Sequence, residues 1–160
     1  MANTQIRDAL IDHFDRSWTM LRDAINTFPA DQWRAGEVDH LIPARHAAHL
    51  IECNDFYTGA APPDQYPWGK ILGCDWEDSA AEDLPTQERC LAAIGQIQQK
   101  VGDWLGNLTD EALLAPQDAH PWTGCDMLSR SLYMLRHMHH HLGELDTELR
   151  RRGLPRPKWR

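Results

Sequence analysis

Apolar spacing is the feature that most narrows what this chain can fold into. From Thr4 to about Phe28, residues Ile6, Leu10, Phe14, Trp18, Leu21, Ile25 and Phe28 recur at steps of three and four. That is one face of an amphipathic helix, which Asn3 or Thr4 can cap and Pro29 ends. A second helix fits about Pro43 to Tyr57, with proline in its first turn and Gly59, Pro62 and Pro63 beyond its end. A third fits about Thr86 to Leu108, with Leu91, Ile94, Ile97, Val101, Trp104, Leu105 and Leu108 on its face. After a short turn, Thr109 to Leu114, a last helix runs from about Gly124 to Arg152. Arg150, Arg151 and Arg152 suit the negative end of its dipole, and Gly153 suits its C-cap. No stretch alternates with period two for long enough to make a strand.

Between the second and third helices, Thr58 to Pro85 holds Pro62, Pro63, Pro67, Gly59, Gly69 and Gly73 but no sustained period. Trp68 and Trp76 within it are expected to pack back onto the helices. The expectation is therefore an all-α fold: a four-helix bundle with a long crossover loop between helices 2 and 3, forming one domain over residues 1–160. A chain of 160 residues can bury such a core without staples.

Charge narrows the function. A net charge of −8 argues against a nucleic-acid partner, which needs a basic face, and against an anionic membrane surface. Neither an apolar signal region near Met1 nor a run of membrane-spanning length is found, so a cytoplasmic protein is expected. Cys53, Cys74, Cys90 and Cys125 form no closely spaced pair and read as reduced thiols, not as a disulfide framework or a paired-thiolate zinc site.

Nine histidines remain, four of them at positions 137, 139, 140 and 141. On the last helix, Met127, Met134, Met138, Leu142, Leu145 and Leu149 share an arc that faces the core. His137 and His141 stack one turn apart at the edge of that arc, where two imidazoles can share one metal ion. His140 points away, and His139 has no histidine one turn distant. Arg130, Tyr133, Glu144 and Glu148 lie along the same stripe, in position to line a pocket or to meet solvent. A third ligand has to come from another helix, and the second offers His46 and His49 on a segment apolar nearly all round.

These residues resemble the DinB-like superfamily of metal-binding four-helix bundles. The stretch His49-Leu50-Ile51-Glu52, trailed by Phe56-Tyr57, is similar to its H-[IL]-x-E motif. His137, His141, Leu142, Gly143, Glu144 and Leu145, with Arg150 and Gly153 after them, resemble its HxxxH-x-G-[QE]-[LI] stretch. The resemblance implies one divalent metal (zinc by default, nickel or iron next) held by His49, His137 and His141, with His46, His139 and His140 outside the ligand set. It also implies a small-molecule substrate and, as among relatives, a homodimer.

Members of that superfamily include transferases and isomerases that use a low-molecular-weight thiol, and others labelled metal-dependent hydrolases. The expected function is a thiol-dependent S-transferase acting on small electrophiles; the rivals are a hydrolase and a non-catalytic metal-binding bundle. Glu52 and Glu144 are the candidate catalytic carboxylates, as general base or as orienters of a histidine. Arg130 and Tyr133 are the candidate cofactor-binding residues. A carboxylate-bridged di-iron site is disfavoured, because it wants ExxH motifs that none of the four expected helices carries.

Overall fold

In the computed structural model, which describes residues 3–160, four long helices build the molecule and two short ones trim it. They are α1 (Gln5–Thr27), α2 (Ala30–Trp33), α3 (Pro43–Thr58), α4 (Gln87–Gly106), α5 (Asp110–Leu113) and α6 (Met127–Arg151). No strand occurs among the described residues, and none of the described helices is long and apolar enough to cross a membrane. Each of α1 and α3 packs against both α4 and α6, so α1 lies diagonally across the bundle from α3. The stripe read from α1 is the stripe it buries: Leu10, Phe14, Trp18, Leu21 and Ile25 all lie in the core.

Ends of helices are closed by local chemistry. Thr86, Thr109 and Asp126 accept hydrogen bonds from the backbone N–H groups of Arg89, Ala112 and Ser129, three residues on. Gly124 cannot begin α6 as expected: its φ is 129°, and a Cβ there would lie 2.4 Å from Ser129 Cβ, so it belongs to the turn before Asp126. Gly153 ends α6 at φ 69°, with Leu154 N–H reaching back to the Leu149 carbonyl.

The start of α1 departs from expectation. Neither Asn3 nor Thr4 caps it in the usual way, and Thr4 turns its hydroxyl to Asp8 instead. The cap is Asp110, more than a hundred residues later, whose carboxylate accepts from Ile6 N–H at 3.1 Å and Arg7 N–H at 3.2 Å. Because α5 has to stand at that end of the bundle to supply it, the cap is a tertiary contact.

α3 is the helix that positions everything else. From position 43 to 57 only His49 escapes full burial. Its buried charges Arg45, Glu52 and Asp55 all face the crossover. Arg45 donates to the carbonyls of Trp76, Glu77 and Ser79. Glu52 Oε1 accepts the N–H groups of Ile71 and Leu72 at 3.0 and 3.2 Å. Asp55 accepts from Tyr66 Oη at 2.7 Å and pairs with Lys70 and Lys100. The crossover is thus tied down at both ends of α3, and Trp68 and Trp76 pack against the core as expected. The C-terminal tail follows suit: Arg160 pairs with Asp23 at 2.8 Å and Trp159 lies beside His139.

Asp110→Ala removes two backbone acceptor contacts at a helix start, and it should lower unfolding stability by about 1–2 kcal/mol. A urea titration measures the loss; an unchanged midpoint would show that water replaces the carboxylate at no cost.

Candidate metal centre

On α3, His46, His49 and Cys53 fall at i, i+3 and i+7, a stripe adjacent to the one that holds the crossover. On α6, His137 and His141 occupy one stripe with Glu144 one turn further. Where α3 and α6 pack, these stripes meet. His49 Nε2 lies 3.0 Å from His137 Nε2, and His141 Nε2 lies 3.2 Å from the same atom. The rings of His49 and His141 are 4.5 Å apart between centroids. The structure therefore brings together the trio named from the sequence.

The protonation of these rings follows from burial. Loss of water pushes His137 down to about 4 and His49 to about 2, the latter also through the neighbouring His141 and His137. His141 is lowered for the same first reason, against the pull of Glu144. All three are neutral imidazoles near pH 7. Because a carboxylate only accepts, the 2.6 Å contact between His141 Nδ1 and Glu144 Oε2 puts the His141 proton on Nδ1. His141 Nε2 then presents a lone pair toward His137 and His49.

Three ring nitrogens meeting edge to edge are mutually repulsive unless a proton or a cation lies among them. A tetrahedral ion with Zn–N bonds of about 2.0–2.1 Å sets its nitrogens about 3.3 Å apart. The observed 3.0 and 3.2 Å separations lie close to that spacing. The donors fit a divalent metal.

Around the trio the carboxylates divide. Glu144 pairs with no arginine among the described residues. It faces histidines, with His46 Nδ1 at 3.5 Å and His140 at 3.7 Å besides His141. Glu52 makes no hydrogen bond to these histidines; its oxygens go to the crossover amides and, at 3.4 Å, to Tyr66. Burial raises its pKa, and the two amides partly offset that rise. In the crossover it helps to anchor, Arg45 holds the Trp76 carbonyl and the Trp76 ring lies 4.1 Å from the His49 ring.

Tyr133 stacks parallel to His137, with centroids 6.2 Å apart and planes at 8°. Arg130 lies deeper, 3 % exposed, donating to the Gly59 carbonyl and covering the Trp104 ring. It forms no salt bridge among the described residues, and burial lowers its pKa to about 10. His139 sits apart, bonded to Ser17 Oγ at 3.0 Å, and His140 is largely exposed.

Sequence reasoning missed two members of this neighbourhood. His46 was set aside, yet it is buried against Glu144 with its Nε2 unpartnered. Cys53, expected to be a reduced thiol outside any paired-thiolate site, forms with His49 and His137 a group whose donor atoms lie within 4.8 Å of one another. The i, i+4 step from His49 to Cys53 was the available signal.

The fold and this cluster define an all-α bundle with a histidine-rich candidate metal site between two helices. The chain belongs to the DinB superfamily, whose family model matches residues 13–145. That match spans α3 and the histidine stripe of α6. No curated protein matches the chain.

Depressed histidines carry a stability signature. An unfolded histidine titrates near 6.5, whereas His46 and His137 are held at about 4 in the fold. Between those values the unfolded chain takes up protons that the folded chain refuses. Stability of metal-free protein should therefore be complete above about pH 6.5 and fall as the pH drops toward 4. Urea midpoints at pH 7 and pH 5 check this, and His46→Gln should flatten the difference; equal midpoints in the wild type would contradict it.

Proposed function

We propose that this chain is a metal-dependent enzyme that joins a low-molecular-weight thiol to small electrophiles, with His49, His137 and His141 holding one divalent ion. The observation that carries the metal is the convergence of three neutral ring nitrogens from two helices, separated by 3.0 and 3.2 Å about His137 Nε2. Zinc is the default ion, with nickel and iron next, because imidazole suits all three. Bound there, such an ion lowers the pKa of a thiol that reaches it, favouring the nucleophilic thiolate.

The chain's own residues supply the remainder. Glu144 holds His141 by its Nδ1 proton and so keeps Nε2 aimed at the shared point. Glu52 acts as a positioning residue, anchoring the crossover amides so that Trp76 roofs His49. Tyr133 flanks His137, and Arg130 is the buried cation available to a carboxylate of the thiol. The preference for a transferase over a hydrolase comes from the family resemblance and from Glu144. A hydrolytic site wants a free general base, and the carboxylate at hand is already engaged by His141.

Elemental analysis of untagged protein should find about one metal per chain, absent from His49→Ala and His137→Ala. Loaded protein should then conjugate a thiol with a chlorinated aromatic or an epoxide, and the two variants should not. Metal without conjugation by any thiol would sink the transferase. No metal uptake, even with added zinc, would sink the centre itself. Glu144→Gln should weaken metal binding by about 10–100-fold, as loss of a ligand's hydrogen-bond partner does.

A further inference from the structure

Cys53 stands one turn beyond His49 on α3 and is 5 % exposed. Among the described residues, its sulfur has within hydrogen-bonding reach only the ring nitrogens of His49, 3.5 Å to Nδ1 and 3.8 Å to Nε2. Cys53, His49 and His137 each offer a donor atom within 4.8 Å of the other two. His141 Nε2 joins them through its 3.2 Å approach to His137. Cys53, His49 and His137 thus form one donor group, and His141 borders it through His137.

We infer that Cys53 is the fourth protein ligand of the metal centre, completing a set of three imidazoles and one thiolate. The inference rests on the proposed three-histidine centre. Bond lengths set what it requires. With Zn–S about 2.3 Å and Zn–N about 2.0–2.1 Å, a tetrahedral ion places sulfur about 3.5 Å from each nitrogen. Sγ now lies nearer Nδ1, at 3.5 Å, than Nε2, at 3.8 Å, so reaching an ion held on Nε2 takes a rotation of the Cys53 side chain about its Cα–Cβ bond. The i, i+4 step gives Cys53 the same chelating relation to His49 that His141 has to His137.

Two consequences follow for this chain. Coordination ionises the thiol, its proton passing to solvent, so metal binding becomes more favourable as pH rises. A soft sulfur donor also tilts the site toward zinc and away from harder ions that prefer oxygen. With Cys53 in place the four protein donors close the tetrahedron at rest. A thiol substrate would then have to add to that donor set or displace Cys53.

X-ray absorption of the zinc-loaded full chain tests the assignment directly, with no activity required. One sulfur at about 2.3 Å beside nitrogens at about 2.0–2.1 Å is expected. Cobalt-loaded protein should show a sulfur-to-metal charge-transfer band. That band should vanish in Cys53→Ser and Cys53→Ala while cobalt stays bound, and persist in Cys125→Ser, whose thiol is exposed. Losing an outer-shell partner already costs about 10–100-fold in affinity, so losing this ligand should weaken zinc binding at least about tenfold. Metal bound with nitrogen and oxygen neighbours alone would overturn the role of Cys53 and leave the three-histidine centre standing. No metal bound at all would overturn both.

Discussion

The site depends on the near-complete burial of α3. A helix enclosed on all sides has to pair the charges it carries, because an unpaired buried charge costs more than the fold can spare. Arg45, Glu52 and Asp55 meet that demand by binding the crossover, largely through its backbone carbonyls and amides. The long irregular segment is thereby fixed as a roof. Its Trp76 comes to rest on His49, and the same helix that anchors the roof presents the metal donors beneath it.

The second determinant is water exclusion around the histidines. Burial keeps His46, His49 and His137 neutral, which is the form a metal accepts. Neutral rings crowded to 3.0 Å leave lone pairs facing one another, and Glu144 fixes which nitrogen of His141 takes part. An acidic residue that looks like a solvent-facing salt-bridge former on the helix surface is in fact the hinge of the histidine arrangement.

Membership of the DinB superfamily places the fold and the histidine stripe in a known framework, and the match ends within α6, just beyond Glu144. Three further buried groups lie within that match. Cys53 sits one turn from His49, His46 lies against Glu144, and Arg130 is buried without an acidic partner among the described residues. The fold by itself does not decide substrate or cofactor, since a shared bundle hosts many chemistries.

By itself the sequence determined the helices, because the 3.6-residue period of Leu10, Phe14, Trp18 and Leu21, or of Met134, Met138, Leu142 and Leu145, is written locally. It also determined that His137 and His141 form a pair, since an i, i+4 step is a distance on any helix. What it left open was every choice that needs a partner far along the chain. Local spacing could not say that Asp110 caps α1, that Glu52 would turn to Ile71 and Leu72, or which of His46 and His49 meets the pair without help from a family motif. Nor could it lift Cys53 out of the apolar background. Those assignments were made only by the packing of α3 on α6 and by the fold of the crossover, because contacts between distant segments leave no period in the sequence for local spacing to reveal.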